Sequence, residues 1–260
     1  ADERARKPFG RGLDGEKVFV LEPFAGTGTF VTRILHRVAE RGGAEAVKGK
    51  LERGEIWANE ILLLPYYVLR ANVENTALAL TGEYVPFKGA LLADSFRLAE
   101  LWYSKGEFGL IPLFPEEYGE ALNEQLKAPI QVILSNPPWR AWAEKEGEGK
   151  KNPVYRKVRE RVQETYVKRA KEISIGAKKK GELFNSLYDQ YIQALRVASD
   201  RIGEEGVVGF VTNNGWLEGV VARSLRASLA EEFAEVYVYD LRGNAREKGE
   251  AWKKEGDKVF

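Results

Sequence analysis

The chain has 260 residues, of which 44% are hydrophobic and 30% are charged, and its formal net charge is +1. This composition is typical of a globular protein with a sizeable core, and no apolar run is long enough to span a membrane. The chain has no cysteine and one histidine, His36. Disulfides and thiol chemistry are therefore excluded, and a His-based catalytic dyad or a metal site is not expected.

The N-terminal residues 1–7 are mostly charged, and no apolar segment follows them. A secretory signal peptide needs such a segment, so we expect a cytoplasmic protein without a membrane partner. The absence of methionine means that the chain does not begin with an initiator residue. We therefore expect a fragment of a longer protein.

Residues 17–21 are predicted to form a buried strand, which leads into the loop Glu22-Pro23-Phe24-Ala25-Gly26-Thr27-Gly28 and then a helix. Glycines in such a loop allow a ligand to approach the backbone, and the helix N-terminus directs N–H groups towards it. The loop is not a P-loop and lacks the third glycine of the dinucleotide fingerprint. An acid at the strand end favours a ligand with amino or hydroxyl groups over a pyrophosphate. The alternative is a tight strand-to-helix turn without a ligand.

Two further strands are predicted at 55–59 and 84–92, and each is followed by an acid. Glu60, at the tip of the second strand, is placed to bind two ribose hydroxyls in a doubly wound sheet. Asp94 would lie at the same edge of the sheet. The alternatives are an acid favoured by the dipole of the next helix for Glu60 and an ordinary helix cap for Asp94. Residues 102–127 are predicted to be a loop with a short helix.

The fourth predicted strand, 129–134, ends in Ser135-Asn136-Pro137-Pro138-Trp139. Two consecutive prolines make a stiff, extended segment that cannot continue as a helix. The Asn136 side chain and the Pro137 backbone each offer a carbonyl acceptor, and Trp139 offers a broad apolar face. This set suits the binding of a flat group that carries an NH2. The alternative is a Pro-rich turn with a tryptophan in the core.

Residues 140–180 contain 14 Lys and Arg against 6 Glu, and Tyr155 and Tyr166 lie among them. Basic residues interleaved with aromatics suit contacts to phosphates and stacking on bases. The alternative, compatible with the first, is a solvated helix from 155 to 173 in which Glu160, Glu164 and Glu172 form i,i+4 ion pairs.

The remaining pattern predicts a helix at 183–202, a fifth strand at 206–212 that ends at Asn213, a helix at 218–233 and a sixth strand at 235–239. Alternating strands and helices favour one α/β domain with a doubly wound, mostly parallel sheet. Ligands bind such sheets outside the carboxyl ends of the strands. Five polar residues follow predicted strands and are expected to meet at that edge: Glu22, Glu60, Asp94, Asn136 and Asn213.

Taken together, the glycine loop and the segment Asn136-Pro137-Pro138-Trp139 resemble the cofactor loop and the catalytic tetrapeptide of amino-group DNA methyltransferases. The order of the two motifs is that of the gamma group of N6-adenine enzymes. The stretches 60–67 and 240–246 resemble, more narrowly, the methylase region of type ISP restriction-modification enzymes. The resemblance covers about residues 18–260. It implies a Rossmann-like, class I S-adenosylmethionine-dependent fold that is incomplete at both ends, with a basic insertion at about 140–181.

The resemblance also implies roles for individual residues. The catalytic residues would be Asn136, Pro137, Pro138 and Trp139. Binding of S-adenosyl-L-methionine would involve Glu22 at its amino group, Gly26 and Gly28 at its methionine end, Glu60 at its ribose, Asp94 at its adenine amino group, and Phe24 and Phe96 nearby. Glu22 departs from the aspartate usual in the family, so its reach differs by one methylene. No metal is implied.

The function implied is methyl transfer to the N6 amino group of a flipped adenine in DNA, as the modification part of a restriction system. Target-recognition and nuclease parts would lie elsewhere in a longer chain. Two alternatives remain from the sequence. One is a methyltransferase for an RNA base or a protein glutamine, and the other is an inactive fragment that binds nucleic acid.

Overall fold

The structure is a computed structural model that describes residues 11–104, 116–138, 155–173, 184–219 and 222–240. Its strands are β1 (Phe19–Glu22), β2 (Ile56–Glu60), β3 (Ala90–Leu92), β4 (Ile130–Ser135) and β5 (Val207–Phe210). Its α-helices are α1 (Thr29–Glu52), α2 (Leu63–Thr81), α3 (Ser95–Tyr103), α4 (Glu116–Lys127), α5 (Arg156–Val162), α6 (Lys168–Ile173), α7 (Gln190–Arg201), α8 (Gly215–Glu218) and α9 (Arg223–Glu232). A π-helical turn, Gln163–Val167, joins α5 to α6, and a 3₁₀ turn, Asn185–Tyr188, precedes α7.

The five strands form one parallel sheet in the order β3-β2-β1-β4-β5. The predicted α/β fold with a parallel sheet is confirmed. From β1 the chain adds β2 and β3 on one side, and it then returns to add β4 and β5 on the other side of β1. The strand order therefore reverses between β1 and β4. Such a switch point opens a crevice above the carboxyl ends of the two central strands.

Helices cover both faces of the sheet, so the sheet is doubly wound as predicted. On one face, Val31 and Leu35 of α1 and Leu69 of α2 pack with Val20 of β1 in one buried cluster. On the other face, Ile133 of β4 packs in one buried cluster with Ala198 of α7 and with Ile202, which follows that helix. Burial on both faces explains why the central strands are continuous apolar runs rather than alternating ones.

A buried ion pair joins α1 to the starting ends of β1 and β2. The Lys50 ammonium lies 2.9 Å from the Glu55 carboxylate, and their side chains are 0% and 2% exposed. Lys50 also donates to the backbone carbonyls of Gly15 and Val18, at 2.6 and 2.8 Å. These bonds fix where two central strands begin, and hence how far their other ends reach.

Two predicted strands differ from the structure. The third strand was predicted over 84–92 but is formed by Ala90–Leu92 alone, because only these residues pair with β2. The prediction of a sixth strand at 235–239 is wrong, because the structure describes these residues and they do not form a strand. Its alternating Val and Tyr residues have strand propensity, but they lie exposed and are not part of the five-stranded sheet. Propensity without a neighbouring strand does not make a ladder.

Other boundaries moved because tertiary packing selects them. Residues 102–127, predicted to be mainly loop, contain the 12-residue helix α4. The predicted helix at 218–233 corresponds to α9, which begins at Arg223, and the short helix α8 ends at Glu218. No helix in the described ranges is long and apolar enough to cross a membrane. Likewise, no group of three metal-binding side chains occurs among the residues with described positions.

Part of the basic segment forms the predicted helix. From residue 156 to 173 the chain is helical, and its buried face includes Val158 and Val162. The exposed charges pair at i,i+3 rather than the predicted i,i+4: Lys157 with Glu160 and Arg161 with Glu164. The rest of the predicted insertion, 140–154 and 174–181, lies outside the described residues.

Candidate functional site

The polar residues predicted to meet at one edge of the sheet lie at or just beyond the carboxyl ends of the strands. Glu22 and Glu60 are the last residues of β1 and β2, and Asn136 directly follows β4. The pairing registers align Glu22 with Ala58 and Glu60 with Leu92, and Leu21 with Ile133. Because neighbouring strands lie about 5 Å apart, Glu60 and Asn136 are separated laterally by about 10 Å, with Glu22 between them. Asp94 follows β3 beyond Glu60, and Asn213 follows β5 beyond Asn136.

The glycine loop turns sharply above β1 and then enters α1. Gly26 and Gly28 have φ values of 55° and 87°, in the left-handed region that residues other than glycine rarely adopt. A Cβ at Gly28 would also lie 2.6 Å from Cδ1 of Leu69 in α2. Both the backbone conformation and the packing therefore require glycine at position 28, which a tight turn alone would also explain.

Glu22 is an acid buried at the end of the central strand. It is 1% exposed, and its carboxylate accepts a hydrogen bond from the Val31 N–H at 3.2 Å. Within the described part of the chain it forms no ion pair. Burial raises the pKa of Glu22 well above its ordinary value of 4.5, and the Val31 bond lowers it by less. A cationic group brought next to this carboxylate would stabilise its charged form.

Glu60 ties the glycine loop to the second strand. One carboxylate oxygen accepts from the Gly26 N–H at 2.9 Å, and the other accepts from the Leu62 N–H at 2.7 Å. The residue is 8% exposed. The alternative interpretation of Glu60, as an acid at a helix N-terminus, is therefore partly correct, since Glu60 binds an N–H at the start of α2. Each oxygen keeps a second lone pair for a ligand hydroxyl.

Asp94 caps α3, as its alternative interpretation predicted, but it also has a second partner. Its Oδ1 accepts from the Phe96 N–H at 2.9 Å and more weakly from the Arg97 N–H at 3.4 Å. Its Oδ2 accepts from the Tyr155 hydroxyl at 2.8 Å. Tyr155 immediately precedes α5, 61 residues further along the chain. The carboxylate is therefore held from both sides.

The two phenylalanines near the site pack on each other. The rings of Phe24 and Phe96 lie 5.3 Å apart, and the ring of Tyr155 lies 5.0 Å from that of Phe96. Phe96 is 3% exposed, so it presents little surface to a ligand, whereas Phe24 is only partly buried. A direct contact of Phe96 with an adenine ring stays a prediction.

The tetrapeptide follows β4 directly. Ser135 ends the strand fully buried, Asn136 is exposed, Pro137 is buried and Pro138 is partly buried. Among the described residues, no hydrogen-bond partner occupies the Asn136 side chain. The exposed Asn136 thus follows β4, the strand beside the one that ends in Glu22. Trp139 lies outside the described residues.

Sequence reasoning missed four residues that support this edge. The side chains of Asn59 and Gln125 exchange hydrogen bonds, at 2.7 and 3.2 Å, and Asn59 also donates to Ser95 at 3.0 Å. The Ser95 hydroxyl donates to the carbonyl of Pro23 in the glycine loop. The fourth is Tyr155, which the sequence suggested for base stacking but which is 6% exposed and binds Asp94 instead. Their sequence separations of 36 to 72 residues leave no local signal, apart from the polar Asn59 directly after the apolar residues of β2.

Comparisons with solved structures agree with this geometry. A nuclease-deletion mutant of the type ISP restriction-modification enzyme LlaGI, in complex with a DNA substrate mimic, is 35% identical and matches 100% of this chain with a TM-score of 0.87. The ATP-dependent type ISP restriction-modification enzyme LlaBIII, bound to DNA, is 34% identical over 96% of the chain, with a TM-score of 0.82. A DrdV–DNA complex is 32% identical over 98%, with a TM-score of 0.83.

The matched regions are 20%, 16% and 23% of the LlaGI, LlaBIII and DrdV chains, so this chain spans about a fifth of their length. No protein-family model and no curated protein sequence matches it. The predicted resemblance to type ISP restriction-modification enzymes is nevertheless confirmed by sequence identity and fold together. Over its whole length, this chain is a relative of one segment of the type ISP restriction-modification enzymes.

Proposed function

We propose that this chain transfers a methyl group from S-adenosylmethionine to the N6 amino group of adenine in DNA, as the modification part of a restriction-modification system. The observation that carries the proposal is the exposed Asn136 amide, which follows a buried strand at the switch point of the sheet, one strand away from the buried acid Glu22. An acceptor for amino protons thus lies beside an acid suited to an ammonium group.

The polar residues along the edge fit the parts of the cofactor in order. Asp94 would accept from the adenine amino group and Glu60 from the ribose hydroxyls, while Glu22 would bind the methionine ammonium. Gly26 and Gly28 would allow the chain to approach the methionine end, because neither carries a Cβ. Since β1 lies between β2 and β4, Glu22 lies between Glu60 and Asn136 along this edge, with about 10 Å between the outer two strands.

The acceptor chemistry needs neither a metal nor a strong base. When bound, S-adenosylmethionine supplies an electrophilic methyl on a positively charged sulfur. The Asn136 side-chain oxygen and the Pro137 carbonyl would each accept one N–H of the adenine amino group. These bonds hold the nitrogen in line and return its lone pair from the ring to the nitrogen. In the proposed transfer the N–C bond would form as the C–S bond breaks, with the bonding pair left on sulfur and one proton of the nitrogen lost to water.

DNA is favoured over the other substrates because the LlaGI and LlaBIII structures are complexes with a DNA mimic and with DNA. The matched LlaGI chain is a nuclease-deletion mutant, so its similarity to this chain lies outside the deleted nuclease. We propose that target recognition and cleavage belong to other parts of such longer chains, and that Trp139 stacks on the flipped adenine.

A methylation assay tests the proposal directly. The chain would be incubated with methyl-labelled S-adenosylmethionine and, separately, DNA, RNA and protein, and the hydrolysed products would be identified by mass spectrometry. We expect N6-methyladenine from DNA. Methylated RNA bases or methylglutamine would support the alternative enzymes. Cofactor binding without any product would support an inactive fragment.

Binding of the cofactor is expected to release a proton from Glu22. Burial raises the pKa of this carboxyl, so it contributes to folding stability below its ordinary value of 4.5, and that contribution is lost as the pH rises through the raised pKa. An ammonium group requires the charged carboxylate. The affinity for S-adenosylmethionine should therefore increase as the pH rises from 4.5 through the raised pKa of Glu22. Isothermal titration calorimetry in two buffers of different ionisation enthalpy measures the protons released.

The matched variant is Glu22→Gln, which keeps the size of the side chain and the acceptor for Val31 but cannot ionise. It should bind the cofactor about tenfold more weakly, as for a lost hydrogen bond to a charged group, and release no proton at this position. Equal proton release by the variant and the original chain would assign the proton to another group.

A further inference from the structure

Tyr155 holds the Asp94 carboxylate from the side opposite to α3. The hydroxyl donates to Oδ2 at 2.8 Å, while the N–H groups at the start of α3 occupy Oδ1. A carboxylate gripped at both oxygens has little freedom to rotate about its last bond. Oδ1 already accepts two N–H bonds, whereas Oδ2 has one lone pair left for a further donor. The orientation of that free lone pair is therefore fixed before a ligand arrives.

The tyrosine itself is immobilised by its ring. It is 6% exposed, its ring lies 5.0 Å from that of Phe96, and the guanidinium of Arg97 lies 5.4 Å from the ring centroid. Burial, followed by the hydrogen bond to Asp94, raises the pKa of Tyr155. The hydroxyl thus remains a donor at any pH at which the protein would be assayed.

A second bond attaches the same helix to α3. The buried N–H of Val158, in the first turn of α5, donates to the Glu100 carboxylate at 2.8 Å. Glu100 is 8% exposed and lies on the same helix that Asp94 caps. The start of α5 is therefore fixed to α3 at two points, through Tyr155 and through Val158. The position of the Tyr155 hydroxyl is set by helix packing and not by a free loop.

We infer that Tyr155 is a positioning residue that makes Asp94 select an amino group on the purine of the cofactor. The inference rests on the proposed function. A carboxylate held in one orientation can accept a hydrogen bond from the 6-amino group of adenine. A 6-oxo purine would place a carbonyl oxygen there, and two acceptors cannot form a hydrogen bond with each other. Buried polar groups that lose their partner discriminate strongly. The start of α5 would thus help to choose the cofactor through Tyr155.

The test compares two ligands in one protein. Isothermal titration calorimetry would measure the binding of S-adenosylhomocysteine and of S-inosylhomocysteine, its 6-oxo counterpart, to the original chain and to Tyr155→Phe. We expect the original chain to prefer the adenosine ligand, and Tyr155→Phe to reduce that preference roughly tenfold. Partial unfolding of a variant lowers both affinities by the same factor, so the ratio reports on the subsite alone.

Tyr103→Phe is the matched control. Tyr103 lies at the end of α3, and its hydroxyl donates to Asp200 at 2.8 Å, so its removal deletes the same type of bond from the same helix. Its ligand ratio should equal that of the original chain. In an Asp94→Asn background, Tyr155→Phe should change the ratio no further, because the two residues act through one carboxylate.

The outcomes separate the inference from the proposed function. If the original chain prefers the adenosine ligand and Tyr155→Phe keeps that preference, Tyr155 is a core residue and the inference is wrong. An equal loss in Tyr103→Phe would also overturn it. If the original chain binds neither ligand, the proposed function itself fails, and the inference fails with it.

Discussion

Replacing Asn136 by alanine is expected to lower the rate of methyl transfer by about 10²- to 10³-fold, the usual effect of deleting one transition-state hydrogen bond. The affinity for S-adenosylmethionine should change by no more than about twofold, because the residue is placed to act on the acceptor base. Single-turnover rates with labelled cofactor and an adenine-containing duplex would measure the first quantity, and calorimetry the second.

The expected effect is large because the amide is preorganised. Asn136 directly follows Ser135, the last residue of β4, and two prolines follow it, so the backbone on both sides is restrained. Alanine would leave the Pro137 carbonyl as the remaining acceptor for two amino protons. The nitrogen could then rotate out of line with the methyl group, and its lone pair would stay in the ring.

Asn75→Ala is the matched control, since Asn75 is an exposed asparagine on α2 that follows no strand. It should leave the transfer rate unchanged. A large loss of cofactor affinity in Asn136→Ala would show that the residue belongs to the cofactor site instead. An unchanged transfer rate would remove Asn136 from the mechanism altogether.

Replacing Lys50 by methionine is expected to lower the free energy of unfolding by about 3 kcal/mol, the lower part of the range for breaking a buried ion pair. Methionine fills a similar volume but leaves the carbonyls of Gly15 and Val18 without their donor. Glu55 loses its nearest buried cation, although Arg53 still contacts it at 2.9 Å. Urea unfolding followed by circular dichroism would measure the change as a shift in midpoint at constant slope.

The neighbouring Lys48 provides a matched control on the same helix. Its ammonium lies 2.7 Å from Glu83, but the two side chains are 31% and 65% exposed. Water and salt screen such a pair, so Lys48→Met should shift the midpoint far less than Lys50→Met. Similar shifts for the two variants would mean that the buried pair contributes no more than a surface pair.

The Lys50 variant also separates stability from function. Lys50 lies at the starting ends of β1 and β2, whereas the candidate site lies at their carboxyl ends. At a temperature where Lys50→Met is fully folded, its affinity for S-adenosylmethionine should match that of the original chain. A loss of affinity in the folded variant would show that the strand starts also control the site.

The candidate site was predictable to the extent that it depends on where strands end. Glu22, Glu60 and Asn136 each stand at or just beyond a strand end, as the sequence predicts, because each follows a run of mostly apolar residues whose pattern indicates a buried strand. The two glycines of the loop have the left-handed φ values that their residue type suggests. These features are local, so the chain itself carries their signal.

Partners of these side chains were not predictable from sequence. Glu60 binds Gly26 across 34 residues, and Asp94 binds Tyr155 across 61. From the sequence, either acid could have been only a helix-terminus residue. In the structure each does bind an N–H at the start of a helix, in addition to its distant partner. Only the packing of α5 on α3 and of β2 beside β1 brings the second partner within hydrogen-bonding distance.

Local pattern and tertiary structure thus determined different things about this protein. The sequence alone determined the fold class, the order of the motifs and the polar strand ends, because burial and backbone freedom are properties of short segments. Tertiary structure decided that 235–239 forms no strand, since a strand requires a neighbour to pair with. It also decided that Tyr155 contacts Asp94, since that contact depends on how two distant helices pack.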